Sequence, residues 1–202
     1  MNTIIEVGAN LGTDTIKFLE HPDNIVYAFE PTVELQSILQ SKFKDYPNFN
    51  LIPAAVDLTN SFKWFNVAGS ADWGCSSLHE FQDDLENKWP DRPDFHTTHR
   101  YKVMTLRLDT FIQNYNIPRI DYLWIDAQGN DFNVLKSLGN CIDRVEQGKC
   151  EASLITDLYK NTDNRADDLE LWLQKANFVT SRQLHGPGVS HEVDIHFYRT
   201  LH

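Results

Sequence analysis

Six residues are of types, and at spacings, that could do chemistry together. Gly8, Asn10 and Gly12 share one short run, Glu30 lies eighteen residues beyond Gly12, and Asp126 and Asp157 each follow an apolar run. Gly8 and Gly12 permit a bend with φ > 0 and let a ligand approach bare backbone. A carboxylate at Glu30 can accept hydrogen bonds from both hydroxyls of a ribose. Together these describe a nucleoside site. The run Gly8-Ala9-Asn10-Leu11-Gly12-Thr13 lacks the middle and last glycines of the dinucleotide fingerprint. The middle glycine is what lets a backbone reach a pyrophosphate. No G-x-x-x-x-G-K-[ST] loop occurs either, so a nucleoside cofactor without phosphates fits better.

Such residues must be held by particular elements. Ile4–Val7 reads as a buried strand, and Thr13 or Asp14 can start a helix over residues 15–19. Asn24–Phe29 is a second strand, stopped by Pro31. Thr32 caps a helix to about Phe43, and Asn48–Ile52 is a third strand. This βαβαβ alternation implies a parallel sheet. It breaks over residues 60–105, which hold a strand (Ser61–Val67), a small-residue loop, a polar segment from Asp83 to His99 and a strand at Tyr101–Thr105. Long excursions from a rigid sheet usually carry function, so this insertion is expected to form a lid and acceptor wall. Alternation resumes with a helix near Leu108–Tyr115 and a strand at Ile120–Ile125. A helix capped by Asp131, a strand at Ala152–Thr156 and a helix at Arg165–Ala176 follow. Phe178–Leu184 and His191–Arg199 flank a short turn and must be antiparallel. A parallel sheet closed by an antiparallel hairpin is the usual ending of S-adenosyl-L-methionine-dependent methyltransferases. That cofactor has ribose and adenine but no phosphate, and its cationic sulfonium suits an acidic pocket.

Composition narrows the partners. With 202 residues, a single domain is the simplest organisation. The net charge of 18 − 29 = −11 disfavours nucleic acid and anionic membranes. No apolar run approaches the ~20 residues of a bilayer span. Three cysteines without a C-x-x-C read as reduced thiols, and the cytoplasm is the expected compartment. The chain enters its first strand at once. It reads either as one domain of a longer polypeptide or as a chain that walls its site with the 60–105 insertion.

The motifs Glu6-x-Gly8-Ala9-Asn10-x-Gly12, Phe29-Glu30-Pro31, Ala54-Ala55-Val56, Ser76-Ser77-Leu78 and Thr105-Leu106-x-Leu108-Asp109 occur in order, followed by Ile120 to Leu135 with Asp126-Ala127-Gln128-Gly129-Asn130-Asp131 at its centre. In this succession the chain resembles the FkbM-type methyltransferases over residues 4–138. The resemblance implies a class I methyltransferase (Rossmann-like) α/β fold, S-adenosyl-L-methionine, and methylation of a hydroxyl, often on a sugar or glycosylated product. Carried onto matching positions, it places the cofactor on Glu6, Gly8, Ala9, Asn10, Gly12, Thr13, Glu30, Pro31, Ala55 and Asp126. The chain departs from the family in Trp124, where Lys is usual, in Gln128 and Asp131, where Glu is frequent, and in lacking an N-terminal extension.

A sugar hydroxyl is a weak nucleophile at neutral pH, and a general base adds ~10²–10⁴-fold. Asp126 is the first choice and Asp157 would face the same crevice. The pair could share a divalent cation, Mg²⁺ or Mn²⁺, that lowers the hydroxyl's pKa; a solvated turn or helix cap is the alternative for Asp157. Asp131 reads as an N-cap or as a carboxylate behind the site. In the insertion, Trp73, Ser76, Ser77 and His79 are the candidate acceptor contacts. Any of His79, His96 and His99 could be the base or an acceptor contact, with surface residues the favoured reading. Trp64, Trp73 and Trp89 could stack on a sugar ring, Trp64 reading rather as core and Trp73 as the better candidate. The acceptor is then a glycan or small molecule. A non-carbohydrate or protein acceptor, and an idle cofactor-binding domain, are the competing readings.

Overall fold

The computed structural model describes residues 1–69, 73–154, 158–184 and 192–200. In chain order the elements are β1 (Asn2–Val7), α1 (Thr15–Leu19), β2 (Asn24–Phe29), α2 (Val33–Lys42), β3 (Phe49–Ile52), β4 (Ala55–Val56), β5 (Ser61–Ala68), α3 (Leu85–Lys88) and β6 (Thr97–Leu106). These lead into α4 (Leu108–Asn114), β7 (Tyr122–Ile125), α5 (Asp131–Ser137), β8 (Gln147–Ser153), α6 (Ala166–Lys175), β9 (Phe178–Leu184) and β10 (Glu192–Arg199).

The main sheet has the order β3-β2-β1-β7-β8-β10-β9. The first five strands pair in parallel, and β10 runs antiparallel to both β8 and β9, as the sequence implied. From β1 the chain steps outward to β2 and β3, then returns to place β7 on the other side of β1. That reversal opens a crevice at the carboxyl ends of β1 and β7, where ligands of open α/β sheets bind. The strands are buried because their faces alternate between two cores. Ile5 and Val7 pack with Leu108, Ile112, Ile125 and Val134 on one side. Ile4 packs with Leu19, Leu39 and Phe43 on the other. Helix α6 turns the expected face inward: Ala166, Leu169 and Leu173 are buried, and Trp172 lies against the core.

Residues 55–106 build a separate three-stranded sheet, β4-β6-β5. Strand β6 begins at Thr97, earlier than expected, so His99 belongs to it. The segment between β5 and β6 is clamped to the chain beyond β8. Gln82 N–H donates to the Leu158 carbonyl at 2.8 Å and Lys160 N–H to that of Glu80 at 2.7 Å. Phe81 stacks on Tyr159 with ring centres 5.2 Å apart.

Several expectations need correction. Trp64 is not core: it is 50% exposed, with Arg100 and Lys102 over its ring, because it shares the outer face of β5 with Phe62. The strand expected at residues 152–156 ends at Ser153, and Ile155–Asp157 lie outside the described residues. Asp131 is not the cap of α5. Asn130 holds the cap position, and the fully buried Asp131 carboxylate accepts from Ala127 N–H (3.3 Å) and Glu151 N–H (3.1 Å). Among the described residues no helix is long and apolar enough to cross a membrane.

Candidate active site

Strand β1 ends in a turn whose geometry follows from its residue types. Gly8, Asn10 and Gly12 have φ of +89°, +49° and +71°. The N–H groups of Gly8 and Ala9 both donate to the Phe29 carbonyl at 3.0 Å, which ties the turn to the end of β2. The glycines are required by close packing of the chain itself. A Cβ on Gly8 would stand 2.0 Å from the Asp126 carbonyl oxygen, and one on Gly12 would stand 2.5 Å from the Phe43 ring.

Glu30 closes this arrangement. Its Oε2 accepts from Asn10 N–H and its Oε1 from Thr32 N–H, both at 2.7 Å. A carboxylate has about four acceptor sites, so each oxygen retains capacity for a ligand. Burial raises the Glu30 pKa, and the two N–H donors act against that rise.

Above the turn lies a cleft of about 570 Å³, its open mouth included. Gly8, Asn10, Glu30 and Asp126 form its polar side, and Leu35, Ala55, Val56, Phe65, Leu78 and Trp73 its apolar side. No Lys, Arg or His lines it among the described residues. A second cavity, about 670 Å³ with its open mouth, shares Asn10, Gly74, Asp126 and Gln128 with the cleft. It continues toward Arg92, Phe95, Glu151 and Glu192.

Asp126 thus stands where the two spaces meet. The register of β1 on β7 pairs Val7 with Ile125, so Gly8 and Asp126 leave the sheet side by side. Burial raises the Asp126 pKa, opposed by an amide hydrogen bond from Gln128 (2.6 Å) and by the charge of Lys149. Glu151 is pushed well above its ordinary value by burial and then by the charges of Asp126 and Glu192. The loop after Asp126 is pinned by the 60–105 segment. Ser77 Oγ donates to the Gln128 carbonyl at 2.7 Å, and His79 Nε2 lies 3.0 Å from Asn130 Oδ1. That oxygen only accepts, so Nε2 carries the proton.

Of the anticipated cofactor residues, Gly8, Asn10, Glu30, Pro31, Ala55 and Asp126 line the cleft. Glu6, Ala9, Gly12 and Thr13 do not. Glu6 points behind the turn and accepts from Thr15 Oγ1 at 2.7 Å, Ala9 and Gly12 face the α1/α2 core, and Thr13 is exposed. Of the acceptor residues, Trp73 and Ser76 line the cleft, whereas Ser77 and His79 are spent on holding the loop. Asp157 lies outside the described residues. His96 bonds the Pro93 carbonyl, His99 lies near Glu34, and Trp89 packs edge-on against Phe95. Among the described residues no group of three or more His, Cys, Asp or Glu could hold a metal ion. Gln128, Tyr159, Glu151 and Glu192 were missed. Gln128 stood inside a motif, whereas the other three are brought in from distant sequence with no local signal.

No curated protein matches the sequence. Among solved structures, the chain is similar to an rRNA methylase from Streptococcus thermophilus, with 10% identity and TM-score 0.53 over 99% of this chain and 87% of that one. It is also similar to Aeropyrum pernix fibrillarin with natively bound S-adenosyl-L-methionine, at 10% identity and TM-score 0.55 over 97% and 66% of the two chains. A third is the precorrin-6y C5,15-methyltransferase from Geobacter metallireducens, at 10% identity and TM-score 0.51 over 98% and 80%. At such identities the likeness is one of fold, that of the class I methyltransferases. The sequence profile of the methyltransferase FkbM domain matches residues 6–180, from the strand beneath the glycine turn to β9, and the chain therefore belongs to the FkbM methyltransferase family.

Proposed function

We propose that the chain is an S-adenosyl-L-methionine-dependent O-methyltransferase whose acceptor is a hydroxyl of a sugar or glycan. The observation that carries this reading is the position of Asp126 on the wall shared by the cleft and the second cavity. The cleft suits the cofactor. Glu30 retains acceptor sites for two ribose hydroxyls, and Leu35, Ala55 and Val56 offer an apolar wall to a purine. The lack of a lining cation among the described residues leaves a phosphate uncompensated there, whereas a sulfonium finds Asp126. When bound, S-adenosyl-L-methionine supplies an electrophilic methyl group.

The chain's own residues do the rest. Asp126 takes the proton from the acceptor hydroxyl, and burial makes its carboxylate a stronger base than an exposed one. The 60–105 segment closes the cleft through Trp73 and Ser76, and walls the acceptor in the second cavity through Gly74, Arg92 and Phe95. Holding the two reactants together supplies up to about 7–11 kcal/mol of the barrier. The charge of −11 favours a neutral acceptor over RNA. A cation between Asp126 and Asp157 enters no step here.

The test is calorimetric titration with S-adenosyl-L-methionine and S-adenosylhomocysteine, with and without Mg²⁺ and a chelator. It is followed by transfer of labelled methyl to monosaccharide, nucleoside and peptide panels. Binding with methylation of sugars is expected, and Asp126→Asn should lower the rate ~10²–10⁴-fold. Transfer only to nucleosides or peptides would overturn the acceptor. Tight binding with no transfer would favour an idle domain.

A further inference from the structure

We infer that Gln128 is a positioning residue: held by Tyr159, its side-chain amide fixes one oxygen of Asp126 and leaves the other to meet the acceptor. This rests on the reading of Asp126 as the base. Gln128 Nε2 donates to Asp126 Oδ1 at 2.6 Å. Its Oε1 lies 2.9 Å from the Tyr159 hydroxyl. An ionised carboxylate only accepts, so the amide must turn its NH₂ to Asp126 and its oxygen to Tyr159. The phenol has one proton and also lies 2.8 Å from the Cys75 carbonyl, so that proton bridges to one oxygen or the other.

The rest of the loop is built to hold that amide in place. Gln128 has φ +50° and Gly129 φ +82°. A Cβ on Gly129 would stand 2.7 Å from the Tyr159 ring, so the loop lies directly on that ring. Ser77 fastens the Gln128 carbonyl from the other side at 2.7 Å. Tyr159 is itself buried and stacked on Phe81. The anchor therefore comes from outside the Asp126 motif, from a residue after β8 clamped to the 60–105 segment. A carboxylate with one oxygen committed loses its freedom to rotate, and orientation of this kind is worth much in an oriented reaction.

The test compares wild type with Gln128→Leu and Tyr159→Phe. By NMR, the Gln128 side-chain amide pair is identified by its loss in Gln128→Leu. It should be protected from exchange in wild type and should shift in both Tyr159→Phe and Asp126→Ala. By calorimetry, S-adenosylhomocysteine should bind Tyr159→Phe, whose substitution lies off the cleft wall, within about twofold of wild type. On the sugar methylated in the panel, kcat should fall about 10- to 100-fold in Gln128→Leu, and less in Tyr159→Phe, with KM little changed. An amide pair unmoved by Tyr159→Phe, or cofactor-product affinity falling in step with kcat, would overturn the inference. Wild-type methyl transfer by Asp126→Ala would sink the base reading instead, while the amide signals would still report whether the three side chains are linked.

Discussion

Glu6 shows how a single residue's environment sets its behaviour. It lies on the Ile4 side of β1, is 1% exposed, and has one neutral donor, Thr15 Oγ1. Burial is the main cause that raises its pKa to about 8, with the Thr15 bond opposing and the charges of Asp14, Glu30 and Asp126 adding to the rise. The folded state thus holds a proton that the unfolded chain has released above the ordinary value of 4.5. The stability due to this group is complete below 4.5 and is lost as pH rises through about 8. Glu6→Gln removes that dependence. Its urea midpoint should exceed the wild type's by more at pH 9 than at pH 5, with a gain of at most a few kcal/mol. An equal difference at both values would rule out Glu6 as the source. Gly8 has no such latitude. With φ +89° and Asp126 oxygen 2.0 Å from a Cβ position, Gly8→Ala should cost about 2–4 kcal/mol in equilibrium unfolding and abolish cofactor binding.

At the scale of elements, β5, β6 and the segment between them do two different jobs. The inner face of β5, Phe65 and Val67, is buried, and Phe65 reaches the cleft. The outer face presents Phe62 and Trp64. Ser77, on the connecting segment, joins this unit to the loop after β7 and also receives a hydrogen bond from His79 N–H at 3.0 Å. Ser77→Ala should therefore lower unfolding free energy by about 1–2 kcal/mol, the cost of stranding buried partners. Trp64→Ser should change it by less than about 1 kcal/mol, since only exposed stacking cations are lost. Denaturant melts of both variants check the pair. Reversal of that order would show that the segment is anchored through its outer face.

At the scale of the whole molecule, strand order decides the site. Only because β7 returns to the flank of β1 do Gly8 and Asp126 become neighbours, although 118 positions (126 − 8) separate them. A ligand gripping both halves across the β1/β7 seam stabilises the folded state alone. S-adenosylhomocysteine at a hundred times its Kd should add about 2.7 kcal/mol and raise Tm by roughly 5–10 °C. NAD should leave Tm unmoved, because its pyrophosphate meets no cation on the cleft wall among the described residues. A shift with NAD equal to that with S-adenosylhomocysteine would overturn this account of the cleft.

The sequence by itself determined whatever depends on local pattern. The β1 turn, Glu30 at the end of β2, the alternation of β and α, and the antiparallel close of β9 and β10 are legible because periodicity and turn chemistry act over a few residues. It also carried the family motif around Asp126. Only the tertiary structure decided which of those residues face the cleft. Glu6, Ala9 and Gly12 sit in the same motif as Gly8 and Asn10 yet turn away: Glu6 is taken up by Thr15 behind the turn, and Ala9 and Gly12 pack against the α1/α2 core. Likewise Ser77 and His79 are consumed by the loop they hold, and Tyr159 and Glu192 reach the Asp126 region from distant parts of the chain. Contacts between remote segments are set by packing of the whole core, which leaves no trace in local spacing.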